Sequence, residues 1–161
     1  MSTTVAIQVR QATRGDAEVV AQFNELMAME TESRRLDPVT IRAGVTAALA
    51  DATRGVYFLA ESGGQVVGQL LVTLEWSDWR SGWFWWIQSV FVRESHRRAG
   101  VYRMLHEHVR EEAMRRGDVR GIRLYVDHEN THAQEVYRRL GMVKTHYHLY
   151  EEDWSGVEKR E

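Results

Sequence analysis

A chain of 161 residues is long enough for one domain with one sizeable core, and nothing in it indicates a second domain. Its composition, with 43% hydrophobic residues, 27% charged residues and a formal net charge of -2, gives no general reason to expect nucleic acid or an anionic membrane as a partner. The absence of cysteine excludes disulfides, thiolate metal sites and cysteine nucleophiles. Residues 1–10 lack the pattern of a signal peptide, and no stretch approaches the roughly 20 apolar residues of a membrane helix. We therefore expect a cytoplasmic protein.

The first third of the chain predicts one strand and two helices. Residues 7–10 fit a short strand. Asp16 is a suitable N-cap for a helix whose apolar residues recur at helical spacing to about Met29. Residues 37–38, an aspartate followed by proline, mark the start of a second helix, because proline is favoured in the first turn.

The middle of the chain predicts three consecutive strands. Residues 56–60 and 65–75 fit two strands of a hairpin, joined by the Ser-Gly-Gly turn at residues 62–64. A second turn is expected at residues 77–82. The aromatic and β-branched residues of 83–92 then predict a long strand.

The last third alternates between helices and strands. Residues 101–117 form an amphipathic pattern that ends at a glycine, and residues 122–126 alternate as a strand would. Asn130 can cap a helix that Gly141 stops, and residues 143–149 alternate again and predict a last strand. This order predicts a single α/β (α+β) domain, with helices on both faces of a mixed sheet and a loose tail at residues 155–161.

Five of the six tryptophans lie between Trp76 and Trp86. Because tryptophan buries a large area, the cluster favours core packing or a dimer contact. The alternative interpretation is the wall of a ligand site.

Residues 90–102 carry the pattern that most directly indicates chemistry. A buried strand ends, basic residues follow, and Gly100 stands where a helix begins. The start of a helix presents unpaired N–H groups and a partial positive charge, and a glycine there lets the backbone approach an anion closely. Arg97 and Arg98 add forked cationic donors. The pattern indicates a phosphate or pyrophosphate site, with a plain helix start flanked by solvated arginines as the alternative.

Two well-known phosphate motifs are excluded here. A Walker loop requires Gly-Lys-Ser/Thr, which the chain lacks, and a Rossmann fingerprint requires three glycines after the first strand. Instead, residues 97–102 resemble motif A of the GNAT superfamily of N-acetyltransferases, with Tyr102 in place of a small residue. Residues 130–142 resemble motif B of the same family, including Asn130, Ala133 and Tyr137.

The resemblance implies a GNAT fold, with a mostly antiparallel twisted sheet of six to seven strands over residues 1–161. It also implies acetyl-CoA as cosubstrate and no metal. The pantetheine arm would pair with the backbone around Phe91, and the pyrophosphate would lie on the amides that open the following helix. The implied cofactor-binding residues are Val90, Phe91, Val92, Arg97, Arg98, Ala99, Gly100, Val101, Tyr102, Arg103, Asn130, Ala133 and Tyr137.

For the reaction, the resemblance implies direct attack of an amine on the thioester carbonyl through a tetrahedral oxyanion. Tyr137 corresponds to the tyrosine that acts as general acid toward the leaving sulfur, although its helical position also fits a core residue. A phenol with a pKa of about 10 is a workable donor to a thiolate whose conjugate pKa is about 8.5.

The acceptor side of the reaction depends on the branch of the family. In the diamine (spermidine/spermine-type) branch, which residues 29–30, 36–37, 76–82 and 148–151 resemble, a glutamate on the central strand removes the amine proton through water. Gln88 stands at that position and can only orient water or substrate, because an amide cannot take the proton. Other residues expected along the acceptor cleft, as carboxylates or as cation–π partners, are Glu30, Glu75, Asp78, Trp79 and Trp83.

The sequence therefore predicts an N-acetyltransferase for a small primary amine, either a polyamine or an amino-acid-like molecule. The alternative is a non-catalytic acyl-CoA-binding module that lost its base at Gln88. A nucleic-acid site at the arginines of residues 97–110 is disfavoured, because acidic residues share that helix. A metal site at His146 and His148 is disfavoured because no third ligand is evident. Relatives commonly pair through their C-terminal strands, so we expect a homodimer.

Overall fold

In this computed structural model, residues 6–156 of the chain are described. They form five strands and four α-helices: β1 (Ile7–Gln11), α1 (Ala17–Glu32), α2 (Pro38–Ala50), β2 (Val56–Ser62), β3 (Gln65–Ser77), β4 (Gly82–Val92), α3 (Val101–Arg116), β5 (Val119–Arg123) and α4 (Thr131–Arg139). Short 3-10 turns occupy residues 14–16 and 94–96. By its internal contacts the chain divides into two compact units, with the boundary between Tyr125 and Val126.

The first unit contains a single sheet with strand order β1-β2-β3-β4-β5. All neighbours are antiparallel except β4 and β5, which are parallel. The predicted mixed, mostly antiparallel α+β architecture is therefore confirmed. The predicted count of six to seven strands is wrong for the described residues, which contain five.

The helices of the first unit lie on opposite faces of this sheet. The apolar side of α3, including Val101, Leu105 and Val109, packs with sheet residues such as Leu70 and Ile87 in one buried cluster. The α1–α2 pair packs on the other face, in a second buried cluster. The buried members of this cluster are Val20, Ala21, Val45, Tyr57 and Leu59. The sheet is thus covered on both faces, as its nearly continuous apolar strands require.

Several predicted turns and caps are confirmed. The Asp37 carboxylate accepts a hydrogen bond from the Thr40 amide at 2.8 Å and so caps α2, which begins at Pro38. Gly63 and Gly64 have φ values of 58° and 78° in the β2–β3 turn, the left-handed conformations that favour glycine there. In the second unit, the Asn130 side chain caps α4 by accepting a hydrogen bond from the Ala133 amide at 3.0 Å.

Two expectations for the end of the chain are wrong. The strand predicted over residues 122–126 begins earlier and ends at Arg123. Residues 143–149, expected as a last strand, form no strand, and their apolar side chains Val143, Tyr147 and Leu149 are largely exposed. Alternation of apolar and polar residues sets which face a strand would bury, but a strand forms only where a neighbouring edge supplies hydrogen bonds. The predicted loose tail reaches beyond the described residues at 157–161.

Helix α1 is joined to the sheet by an ion-paired cluster around Asp16. The two carboxylate oxygens of Asp16 accept hydrogen bonds from Arg10 at 2.8 and 2.9 Å, and the Thr13 amide donates to one of them at 2.7 Å. Arg10 also donates to Glu61 on β2 at 2.9 Å. The Arg10 guanidinium lowers the pKa of Asp16 to about 2. Asp16 is the residue before α1, but its carboxylate bonds to Arg10 and Thr13 instead of capping the helix amides.

We expect Asp16→Asn to lower the free energy of unfolding at pH 7 by about 1–2 kcal/mol, because it removes a charge-assisted double hydrogen bond. The depressed pKa means that this stabilisation is complete above the unfolded pKa of about 4 and is lost as the pH falls toward 2. Urea denaturation at pH 7 and pH 3 measures the difference, which should shrink at pH 3. Glu18→Gln, at an exposed ion pair with Arg42, is the control and should leave stability unchanged. An Asp16→Asn effect that is equal at both pH values would contradict the assignment.

No helix within residues 6–156 is both long enough and apolar enough to cross a membrane.

Candidate active site

The edge of β4 that faces β5 is paired along only part of its length. The parallel pairing with β5 covers Trp83 to Trp86, whereas the antiparallel pairing with β3 continues to Val92. Within the described residues, the β5-facing edge over residues 87–92, which we call the open edge, has no strand partner. Its backbone N–H and C=O groups can therefore pair with an extended ligand, as the edge of a sheet pairs with a peptide.

A β-bulge at Ser89 divides β4 just where the open edge begins. Ser89 has φ 51°, and the pairing with β3 shifts register between Gln69 and Leu71. Before the bulge, Ile87 faces the α3 side of the sheet; after it, Val90 faces that side and Phe91 instead packs on Phe23 of α1, with ring centroids 4.8 Å apart. The extra residue thus reverses which side chains of β4 face each layer of helices.

A buried polar cluster holds this bulge from the α1 side. Gln69, fully buried, donates a hydrogen bond through Nε2 to the Ser89 carbonyl at 3.2 Å. Nearby, the buried Tyr57 hydroxyl accepts a hydrogen bond from Asn24 Nδ2 at 3.3 Å, and burial raises the pKa of Tyr57. These contacts fix the direction of the backbone amides that follow Ser89. Sequence analysis missed this cluster, although a glutamine and a tyrosine inside apolar strands were a usable signal.

After Val92 the chain forms a tight turn into α3, which we call the phosphate turn (residues 93–100). Arg98 and Gly100 both have left-handed backbones, with φ 64° and 77°. Gly100 is the N-cap of α3 and supplies no side-chain cap, and a Cβ placed on it would have no protein atom within 4 Å. The turn therefore presents the amide end of a long helix and an open approach to it, which suits the oxygens of a phosphate or pyrophosphate.

Side chains of the phosphate turn and of the first turn of α3 are held by contacts with the rest of the first unit. Arg97 donates to the Val92 carbonyl at 3.0 Å and pairs with Glu30, near the end of α1, at 2.7 Å. Glu30 thus neutralises a cation of the turn, a role that sequence analysis did not anticipate for it. The hydroxyl of Tyr102 lies 3.3 Å from Nδ1 of the buried His106, so the bulk of its ring lies against the α3 core. Burial lowers the pKa of His106.

Gln88 lies on the sheet face that carries α1 and α2, because it pairs with Leu71, which packs on that cluster. Its Nε2 donates to the Thr73 hydroxyl at 2.5 Å. The amide oxygen remains as the acceptor, so Gln88 can orient an amine by accepting a hydrogen bond from it. The pairs Trp86–Thr73 and Phe84–Glu75 follow on the same face. We call this surface, formed by Thr73, Glu75, Phe84, Trp86 and Gln88, the acceptor face.

The other residues expected near the acceptor lie apart from this face. Trp83 packs edge to face on Trp76 with centroids 5.0 Å apart, on the α3 side of the sheet. In the β3–β4 turn, the Asp78 carboxylate accepts a hydrogen bond from the Trp79 amide at 2.9 Å. Trp79, in the same turn, is 88% exposed. Of the five residues predicted to contact the acceptor, only Glu75 belongs to the acceptor face with Gln88.

In the second unit, the residues similar to motif B form one compact helix. Asn130 and Ala133 make the N-cap described above, and Tyr137 lies in the following turn of α4. Burial raises the pKa of Tyr137 above its ordinary value, so its hydroxyl stays protonated over a wider range of pH. Within residues 6–156, no group of three histidine, aspartate or glutamate side chains could hold a metal ion.

Comparison with known proteins decides the family. The sequence model of the acetyltransferase (GNAT) family matches residues 21–142, which include the open edge, the phosphate turn and α4. The chain belongs to the GNAT family of acetyltransferases. By sequence, no curated protein gives a significant match to this GNAT protein.

Solved structures agree with this assignment. A possible acetyltransferase from Clostridium difficile 630 is 38% identical to this GNAT protein, with a TM-score of 0.86 over 91% of this chain and 97% of that one. Two more distant structures contain the coenzyme. A predicted acetyltransferase from Clostridium acetobutylicum with acetyl-CoA is 16% identical, with a TM-score of 0.75 over 91% of this chain and 96% of that one. An aminoglycoside N-acetyltransferase in complex with CoA is 17% identical, with a TM-score of 0.76 over 96% and 99%. These two likenesses show the fold alone.

Proposed function

We propose that this GNAT protein transfers the acetyl group of acetyl-CoA to a primary amine of a small molecule, either a polyamine or an amino-acid-like molecule. One observation carries the proposal: the open edge of β4 runs directly into the phosphate turn and the uncapped start of α3. An extended amide-containing arm and a pyrophosphate need these two surfaces in this order. Acetyl-CoA and CoA in structures of the same fold support the choice of coenzyme.

In this proposal, the pantetheine arm pairs with the backbone of Val90 and Val92, and the amides of residues 98–103 bind the pyrophosphate. Arg97, already oriented by Glu30, supplies guanidinium N–H donors near the phosphates. Asn130 and Ala133 are proposed as coenzyme-binding residues on their resemblance to motif B.

The amine attacks the thioester carbonyl, and the tetrahedral oxyanion is stabilised by backbone N–H groups after the bulge, which Gln69 holds in place. Gln88 accepts a hydrogen bond from the amine and orients it. Because Gln88 cannot take a proton, the amine enters neutral or loses a proton to water before attack, and its nitrogen loses a further proton to water after addition. Tyr137, whose hydroxyl is protonated at neutral pH, then protonates the departing thiolate of CoA and regains a proton from water.

A second candidate is a non-catalytic acyl-CoA-binding module, which is favoured by the amide at position 88 and its bond to Thr73. Release of free CoA thiol, measured with a panel of polyamines, basic amino acids and aminoglycosides, separates the two. Turnover with at least one amine supports the transferase. Tight acetyl-CoA binding without turnover on any amine supports the module instead.

We also propose that the protein forms a homodimer through its C-terminal segment. Within that segment Val143, Tyr147, Leu149, Tyr150 and Trp154 are more than two-thirds exposed, an unusual concentration of apolar side chains on a surface. Sedimentation velocity at micromolar concentration should give about twice the chain mass of 18.7 kDa. A double substitution of Tyr147 and Leu149 to serine should yield the monomer. A wild-type monomer at that concentration would remove the proposal.

A further inference from the structure

The acceptor face carries an ion pair that spans three strands. Arg123, at the end of β5, donates from Nη1 to Glu75 Oε1 on β3 at 2.5 Å. Between them, on β4, the Phe84 ring lies beneath the guanidinium, whose central carbon is 3.7 Å from the ring centroid. Gly121 makes room for this ring, because a Cβ there would stand 2.8 Å from Phe84 Cε1.

Both members of the pair are accessible to a ligand. The side chains of Arg123 and Glu75 remain 32% and 43% exposed. A second cation, Arg80, lies 5.2 Å from the centroid of the same Phe84 ring. The patch therefore presents two guanidinium groups and one carboxylate around one aromatic ring, on the face that carries Gln88.

From this juxtaposition we infer that the acceptor is a basic α-amino acid, held by its head group at Arg123 and Glu75 and acetylated on its side-chain amine. The inference rests on the proposed transferase function. The carboxylate of an α-amino acid matches the forked donors of Arg123, and its α-ammonium matches Glu75. A polyamine lacks the anion that would use Arg123, and it meets two like charges on this patch.

The spacing along β4 selects the side-chain amine over the α-amine. The Arg123 guanidinium lies over Phe84, whereas the side-chain amide of Gln88 bonds to Thr73, which pairs with Trp86, two residues further along β4. Two residues of a strand span about 7 Å. An α-amine is too close to its own carboxylate to reach Gln88 across this distance. A linear chain of about five carbon atoms, with bonds of about 1.5 Å, covers it.

Aromatic side chains lie between the Arg123–Glu75 ion pair and Gln88. The Trp86 ring lies 5.9 Å from the Tyr125 ring, measured between centroids, and Trp86 stands between Phe84 and Gln88 on the same face. An aliphatic chain that runs from the ion pair to Gln88 would pass over Trp86 and gain apolar contact there.

Lysine and cadaverine form the matched pair that tests this inference, because they differ only in the α-carboxylate. We expect wild-type kcat/KM for lysine to exceed that for cadaverine at least about tenfold, with mass spectrometry locating the acetyl group on the side-chain nitrogen. Arg123→Gln should lower kcat/KM for lysine by about ten- to thirtyfold and leave cadaverine within about threefold. Retained cadaverine turnover also shows that the variant folds. Arg115→Gln, at an exposed ion pair with Glu112, is the control and should change neither.

Equal turnover of lysine and cadaverine, acetylation of the α-amine, or an Arg123→Gln variant that loses both substrates equally would each overturn the inference while leaving the transferase function in place. If no amine is acetylated, calorimetric titration of the CoA-bound protein with lysine decides. If lysine binds and Arg123→Gln abolishes that binding, the amino acid site is retained and the transferase function is rejected. If lysine does not bind, both are rejected.

Discussion

Replacement of Gly100 by valine should raise the KM for acetyl-CoA at least about 100-fold. Gly100 has φ 77° and begins α3, and a side chain there would project into the space from which an anion approaches the helix amides. Loss of two charge-assisted hydrogen bonds, at about 1.5–3 kcal/mol each, is sufficient for that change. The measurement is the steady-state KM, together with direct titration of the protein with CoA.

The matched control for this substitution is Gly117→Val. Gly117 follows the other end of α3, with the same φ of 77° and equally open space around a Cβ. Both variants incur the cost of a β-branched residue in a left-handed conformation, about 1–3 kcal/mol, so their melting temperatures should fall together. Only the Gly100 variant should lose affinity for acetyl-CoA. If both variants lose it equally, the effect is one of stability, and the assignment of the phosphate turn is wrong.

Tyr137→Phe should lower kcat about 100-fold and leave the KM for acetyl-CoA within about twofold. General acids contribute about 10²- to 10⁴-fold, and the low end applies because a thiolate with a conjugate pKa of about 8.5 is already a good leaving group. Burial raises the pKa of Tyr137, so the active, protonated form persists as the pH rises past the ordinary value of about 10. Wild-type kcat should therefore show no loss attributable to Tyr137 below that pH.

Tyr150→Phe is the matched control, because Tyr150 is 92% exposed in the same unit. It should retain full activity. Steady-state kinetics from pH 7 to about 10 measure both variants, and thermal melting checks that each is folded. A Tyr137→Phe enzyme with wild-type kcat would exclude the tyrosine as general acid. Solvent would then be the source of the proton that the thiolate takes up.

The parts of the fold that are encoded locally could be predicted from the sequence. The start of α2 at Pro38 needs only its own cap, and the glycine turn between β2 and β3 needs only its own backbone angles. The start of α3 after Gly100 is of the same kind, since the glycine and the first helical residues are neighbours in sequence. These elements follow from short-range rules and are confirmed, whereas phosphate binding at the turn stays a prediction.

The failures concern interactions between distant residues. The alternation of residues 143–149 gave no information on whether an edge was available for pairing. The Glu30–Arg97 bond joins residues 67 positions apart, and the Glu75–Arg123 bond joins residues 48 apart. The bulge at Ser89 was also missed, because an extra residue in a strand is visible only against the register of its partner.

The bulge at Ser89 has a consequence for how the chain folds. Because the bulge adds one residue to β4, a slipped β4 strand that lacks it can keep the pairing of Leu71 with Gln88 or that of Gly68 with Val92, but not both. A slipped strand would turn either Ile87 or Phe91 away from its own apolar cluster. The bulge beside the candidate active site therefore also makes a misaligned β3–β4 hairpin less stable than the native one.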